Sequence, residues 1–205
     1  MTLDIKPTEG VERASPRDAR AIADITAQAF AEDPVNRHVF GRPRAILSCM
    51  RVLARRIYVP GGHSYSAEGA AAAMWLAPGQ SPGLGGFAQA SLAAGMFLHA
   101  SKGAMGRALA LSEKMDAHHP EAPHMYLFTI GTRPEARGRG LARSLMAPVL
   151  AACDRAGLPV YLENSNPANT GFYKAQGFQT VTKFEVAPGG PVMEPMWREP
   201  AAGAG

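Results

Sequence analysis

The stretch that most constrains this chain is residues 125–131, Met-Tyr-Leu-Phe-Thr-Ile-Gly. Near-continuous apolarity over that length predicts a strand buried on both faces, at the centre of a sheet. The strand runs into Thr132-Arg133-Pro134-Glu135-Ala136-Arg137-Gly138-Arg139-Gly140-Leu141-Ala142, and then into a helix expected over 139–156, ended by Gly157-Leu158-Pro159. Two glycines and the small Ala142 let backbone come close to a ligand. The first turn of a helix leaves N–H groups free and carries partial positive charge. Together they make an anion site suited to a phosphate or pyrophosphate, with Arg133, Arg137, Arg139 and Arg143 adding charge nearby.

On its own such a turn also reads as ordinary turn chemistry, or as a dinucleotide fingerprint, because strand, glycines, helix, strand and Glu163 follow in the required order. Two details oppose the fingerprint. Its glycines should open directly after the strand, whereas six residues separate Gly131 from Gly138, and the third glycine position holds Arg143. No Gly-Lys-Ser/Thr is present, so it is not a P-loop either. Thr129 and Gly131 break the apolar run. A glycine inside a strand marks a bulge or a close backbone approach, and main-chain groups freed there could pair with a ligand that carries amides, as pantetheine does.

The remaining chain reads as alternating elements. A strand over 11–14 leads to a helix opened by Ser15, Pro16 and Asp18, with Ala21, Ile22, Ile25, Ala29 and Phe30 as its apolar face, stopped by Asp33-Pro34. A second helix over 43–58 shows Ile46, Met50, Leu53 and Ile57 on one side and ends in a turn at 60–62. Strands over 63–66 and 70–76 flank Glu68-Gly69, and a loop covers 78–86. The Ala-, Leu- and Met-rich segment 87–118 reads as two helices divided at Gly95, Gly103 and Gly106. Its methionines are expected in the core, and the segment is a candidate wall for an acceptor pocket. A strand over 160–163, a short helix over 167–176 closed by Gly177, strands over 178–186 and 192–198, and a frayed tail after Pro200 complete the order.

Composition is globular: 205 residues, 46% hydrophobic and 19% charged, expected to form one domain with its core over about 9–199. A formal charge of +4 suits a polyanionic ligand. Nucleic acid is disfavoured, because no basic run exceeds Arg55-Arg56 and aromatics do not interleave with cations. Cys49 and Cys153 are too few and too far apart for a disulfide framework and read as buried thiols. His118, His119 and His124 lack the cysteines or spaced acids of a zinc site, so no metal is expected. With neither a leader-like N-terminus nor an apolar stretch of spanning length, the expectation is a cytoplasmic protein without a membrane partner.

A second motif follows downstream: Glu163-Asn164-Ser165-Asn166-Pro167, then Ala168-Asn169-Thr170-Gly171-Phe172-Tyr173, then Gly177-Phe178. With the Arg-x-x-Gly-x-Ala turn at 137–142, this resembles the GCN5-related N-acetyltransferase (GNAT) superfamily. Ala29-Phe30, Arg37-His38, the Trp75 strand, His119-Pro120, Pro123-His124, the turn at 131–134 and Met196-Trp197 are similar to the puromycin N-acetyltransferase branch. The resemblance implies a mixed α/β fold with a mostly antiparallel sheet of about six or seven strands, splayed between its two central strands and flanked by helices. It implies acetyl-CoA as co-substrate. The backbone of Ile130 and Thr132 would pair with pantetheine, and the backbone of Arg137, Gly138, Arg139, Gly140, Leu141 and Ala142 would hold the pyrophosphate. Asn166 would contact the cofactor arm, with Asn169 a further candidate. Tyr173 would lie near the thioester sulfur. Ala142 stands where the pattern more often has glycine.

The activity implied is transfer of an acetyl group to a primary amine of a small molecule by direct attack on the thioester. The amine must lose a proton. Glu163 is the candidate base, with His124 its competitor. Tyr173 is the candidate acid toward the departing sulfur. Trp75 and His124 are candidate acceptor-site residues. Three alternatives stay open: a non-catalytic acyl-CoA-binding sensor, an acetyltransferase for proteins or peptides, and, more remotely, an NAD-dependent oxidoreductase. The chain is expected to be a monomer or a homodimer.

Overall fold

The structure is a computed structural model and describes residues 3–80 and 85–201. The elements run β1 (Val11–Arg13), α1 (Ala19–Ala29), α2 (Pro34–Phe40), α3 (Pro43–Leu53), a π-helical turn Ala54–Tyr58, α4 (Val59–Gly61), β2 (His63–Ala67), β3 (Ala71–Leu76), α5 (Gly86–His99), α6 (Ala104–His118), β4 (Met125–Thr132), α7 (Leu141–Arg155), β5 (Val160–Asn164), α8 (Thr170–Lys174), β6 (Gln179–Thr180), β7 (Phe184–Glu185) and β8 (Val192–Arg198).

One sheet orders these strands β1-β2-β3-β4-β5-β8-β6, with β7 also paired to β8. All pairings are antiparallel except β4 with β5, which is parallel. Alternation along the strands sorts side chains onto two faces. Tyr65, Ala73, Trp75, Met125, Leu127 and Val160 pack with Leu145, Met146 and Val149 of α7. Ala72, Met74, Tyr126 and Tyr161 pack with Ile22 and Ile25 of α1 and Ile46 and Met50 of α3. The β2–β3 hairpin turns through Glu68 at φ 51° and Gly69 at φ 61°, the two positive angles that a tight hairpin of matching twist requires.

The register of β4 shifts in the middle. Met74 pairs with Thr129 but Trp75 pairs with Leu127, so Phe128 is an extra residue. Such a bulge moves every following side chain to the opposite face. Leu127 and Ile130, three apart, therefore both join the α7 side. Of the two expectations for Gly131, a bulge or a close approach, the structure gives the close approach, and the bulge falls at Phe128. Gly131 faces α1, where an added Cβ would stand 2.5 Å from the Ala29 Cβ, so the glycine is there for close helix–strand packing. Replacing Gly131 with valine is expected to cost about 1–3 kcal/mol through overpacking against the Ala29 methyl and the Phe30 ring. A urea midpoint unchanged from that of the parent would contradict this.

Several local expectations are corrected. Asp33-Pro34 does not only end a helix; it starts α2. The Asp33 side chain accepts from the Asn36 N–H at 2.9 Å, Pro34 takes the first position, and Gly41 closes the helix at φ 71°. Gly95 and Gly106 lie inside α5 and α6, and the break falls at 100–103. Met105 is exposed rather than core, with Phe87, Phe97, Leu98 and Leu109 also exposed on this pair. Ala21 is exposed, its place on the packed face of α1 taken by Ala23 and Thr26. The helix expected from 139 starts at Leu141, because Gly138 and Gly140 are both at φ 80°. The strand expected over 178–186 divides into β6 and β7, which raises the strand number to eight. The tail expected to fray includes residues 202–205, which lie outside the described residues, as do 81–84 of the expected loop. Cys153 is buried as expected, whereas Cys49 is only half-buried; desolvation still pushes both thiols up to about 12, which keeps them protonated. Among the described residues no helix is long and apolar enough to cross a membrane, and no cluster of three His, Cys, Asp or Glu could hold a metal ion.

Candidate active site

The parallel pairing of β4 and β5 is short: Met125 with Val160, Tyr126 with Tyr161, and Leu127 with Leu162. From Phe128 onward β4 has no partner on this edge, while Ile130 and Thr132 still pair with Ala73 and Ala71 on the other. The bulge and the end of pairing coincide, so the strands part where the extra residue swings β4 aside. A cavity of about 1170 Å³ opens there. Its walls include Thr129, Ile130, Leu162, Glu163, Asn169 and Tyr173, and it extends beneath α2, α3 and α6.

Beyond the split, the turn after β4 forms a short 3-10 segment Pro134–Ala136 and reaches Gly140, which sits in the left-handed conformation as the N-cap of α7. Only glycine adopts that backbone without strain, and at Gly138 and Gly140 an added Cβ would meet nothing within 4 Å. Within the protein itself the two glycines are needed for conformation. Leu141, Ala142 and Arg143 occupy the first turn of α7, whose N–H groups have no intrahelical acceptor. The arginines are unequally available. Arg133 donates to the Gln28 side chain at 2.9 Å, Arg137 to the Ala29 carbonyl at 3.2 Å, and Arg139 pairs with Glu68. Arg143 is exposed on the first turn of α7 and makes no ion pair among the described residues.

Glu163 stands at the cavity wall on β5, its side chain only 3% exposed. Oε2 accepts a hydrogen bond from the Tyr126 hydroxyl at 2.8 Å. Oε1 is buried without a hydrogen-bond partner among the described residues, and Nδ1 of His119 lies 3.7 Å away. Burial, and then the charge of Glu163, hold the Tyr126 hydroxyl far above the usual tyrosine range, so it remains a donor to the carboxylate. His124 is buried beside this group, its ring centroid 4.9 Å from that of His119, and its Nδ1 is 2.7 Å from the Ala122 carbonyl. Burial, with the nearby His119, lowers the His124 pKa below the ordinary 6.5, so the ring is neutral at pH 7.

Tyr173 is buried on α8 and faces the same cavity. Its ring packs edge-on against Phe172 and Phe178, and its hydroxyl makes no hydrogen bond among the described residues. Burial first, and then the charge of Asp33, raise its pKa. The loop before it is held by a network that sequence reading missed. Buried Glu194 on β8 accepts from Asn164 at 3.0 Å, from Thr180 at 2.7 Å and from Thr170 at the start of α8, with Lys183 at 3.5 Å. Burial works against the charge of Glu194, yet these partners prevail and its pKa is lowered. Ser165 adds a hydrogen bond to Asp33 at 2.6 Å, so the carboxylate that caps α2 also ties down the loop.

The structure thus brings Glu163, His124, Ile130, Asn169 and Tyr173 to one cavity. Asn166 caps the turn Pro167–Asn169, accepting from the Ala168 N–H at 3.1 Å, and is not among the wall residues. Trp75 does not reach the cavity either; it is fully buried in the core on the α7 side, its Nε1 without a partner. The wall contains residues not singled out from the sequence, above all Tyr58, stacked on Phe128 at 4.2 Å between ring centroids. Tyr58 ends the π-helical turn after α3; such turns interrupt α-helices often at functional sites, and nothing in residues 43–58 announces one.

Residues 90–178 match the model of the Acetyltransferase (GNAT) family. The fold is that of the GNAT superfamily. A solved structure described as histone acetyltransferase HPA2 and related acetyltransferase, from Corynebacterium glutamicum, superposes on this GNAT fold with a TM-score of 0.67 at 24% identity, covering 94% of this chain and 97% of the other. A polyamine N-acetyltransferase from Drosophila melanogaster gives 0.64 at 16% identity, covering 92% and 98%. By sequence, 53 residues are 40% identical to an uncharacterized N-acetyltransferase of Schizosaccharomyces pombe, a match that spans 26% of this chain and 22% of that relative.

Proposed function

We propose that the protein is an acetyl-CoA-dependent N-acetyltransferase that acetylates a primary amine of a small molecule. The observation that carries this reading is the coincidence of two openings on one strand: the parting of β4 from β5 at Phe128, and the glycine-built cradle at the start of α7. A slot beside unpaired strand edge suits an arm that carries amides, and free N–H groups at a helix start suit a diphosphate. The Drosophila relative forms N-acetylagmatine, and an Aedes aegypti relative of the same fold is an arylalkylamine N-acetyltransferase; both support a small amine as acceptor.

Acetyl-CoA would supply the acetyl group as a thioester. Backbone at Ile130 and Thr132 would hold the pantetheine, and backbone at 137–142 the pyrophosphate, with Asn166 and Asn169 near the arm. Glu163 would take the proton that the amine loses as its nitrogen bonds to the acetyl carbon. Its Oε1, buried without a hydrogen-bond partner among the described residues, supports that role. As the carbon–sulfur bond breaks, the Tyr173 hydroxyl would donate a hydrogen bond to the departing sulfur. Its raised pKa suits donation without full proton loss, and the thiolate then takes a proton from water.

Titration with coenzyme A and with NADH, followed by thiol release from acetyl-CoA over a panel of amines, tests the proposal; tighter binding of NADH would overturn it. The double variant Gly138→Ala, Gly140→Ala forces two L side chains into the left-handed region, at about 1–2 kcal/mol each. Coenzyme A affinity is expected to fall at least about tenfold. An unchanged affinity would remove the cradle from the proposal. The narrower placement beside the puromycin N-acetyltransferases rests on the short sequence matches alone, and acetylation of puromycin tests it.

A further inference from the structure

The cavity walls have a charge pattern opposite to that of the molecule. The chain carries 21 Lys and Arg and a formal charge of +4, yet among the described residues no Lys or Arg lines the cavity. Its imidazoles and carboxylates are His119, His124, the buried Glu163, and Asp116 and Glu121, which are exposed and so lie toward the rim. The surface between is apolar. Val35 and Val39 of α2, Leu111 and Met115 of α6 and Met193 of β8 form one cluster, and the Tyr58–Phe128 stack forms another wall.

We infer that the acceptor is a cationic amine with an apolar or aromatic body and no acidic group; this rests on the transferase reading above and names its substrate class. A carboxylate or phosphate on the acceptor would be buried against apolar wall with no cation to pair it, which is costly. Burying methylenes there is favourable, and aromatic walls favour a ring or a cation over their faces. A second ammonium group midway along the acceptor would face the apolar cluster of α2, α6 and β8 without a counter-charge. Free amino acids and polyamines are therefore poor fits, while arylalkylamines are good ones.

The test is a matched set measured two ways. Calorimetry in the presence of coenzyme A reads acceptor binding without chemistry, and thiol release from acetyl-CoA reads kcat/KM. Phenethylamine is expected to bind at least tenfold more tightly than phenylalanine, which differs by one carboxylate, and than spermidine. The variant Leu111→Arg places a cation on the apolar wall and is expected to narrow or reverse the preference over phenylalanine, a change that mere loss of folding would not produce. Equal or tighter binding of phenylalanine or spermidine by the parent protein would overturn the inference even with brisk thiol release. Preferred binding of phenethylamine with no thiol release from any amine would sustain it and overturn the transferase reading instead.

Discussion

Replacing Glu163 with glutamine is expected to lower kcat/KM by about 10²–10⁴-fold, the usual span for loss of a positioned base. The amide keeps an oxygen to accept the Tyr126 hydroxyl hydrogen bond, so the side chain should stay seated. What it loses is the proton-accepting Oε1, which is buried and without a hydrogen-bond partner among the described residues. The pH dependence separates this from a packing effect. A base works only when deprotonated, so the limb of kcat/KM that rises with pH, measured with a weakly basic amine, should flatten in Glu163→Gln. His124→Gln is the matched comparison and is expected to cost less than about tenfold; the ring is neutral at pH 7 and, with Nδ1 held by the Ala122 carbonyl, keeps Nε2 as the competing proton acceptor. An unaltered limb in Glu163→Gln together with a flattened one in His124→Gln would exchange the two roles.

Replacing Tyr173 with phenylalanine is expected to lower kcat about 10–100-fold and leave coenzyme A affinity nearly unchanged. The magnitude follows from one hydrogen bond to a charged atom, about 1.5–3 kcal/mol, made only as sulfur gains charge. The aromatic packing against Phe172 and Phe178 survives the change, so stability should move little. Burial raises the hydroxyl pKa, so no limb of the pH profile should belong to Tyr173 in the ordinary assay range. Unchanged turnover in Tyr173→Phe would remove the hydroxyl from the reaction.

Much of the architecture was legible because it rests on patterns that do not depend on distant residues. The buried strand at 125–131, the glycine turn, the capped helix after Ser15 and the hairpin at Glu68-Gly69 all announce themselves locally. The signal for α2 was also present, since aspartate before proline with glycine seven residues on is a complete start and stop, but Asp33-Pro34 was read only as an end. Other features were not local. The bulge at Phe128 exists only relative to the register of β3, and without it the facing of Ile130 and Gly131 comes out reversed. Of the candidate site residues, Glu163, His124, Ile130, Asn169 and Tyr173 share a wall because the two strands part, whereas Trp75 stays packed in the core beneath α7 and does not reach that wall. Tyr58 and Phe128 meet from elements 70 residues apart in number, and no periodicity connects them. Glu194 was invisible for another reason: a lone acid in an apolar strand reads as a solvated edge until three hydrogen-bond donors converge on it.

Synthesis order gives that carboxylate a further meaning. Glu194 reaches the loop before Tyr173 from β8, which leaves the ribosome after every other strand among the described residues. A nascent chain that has completed everything through α8 still lacks the anchor for Asn164 and Thr170, so the segment bearing the tyrosine cannot settle until translation has passed residue 194. A chain cut short just before β8 would keep both glycines of the phosphate cradle and still be unable to hold its tyrosine in place.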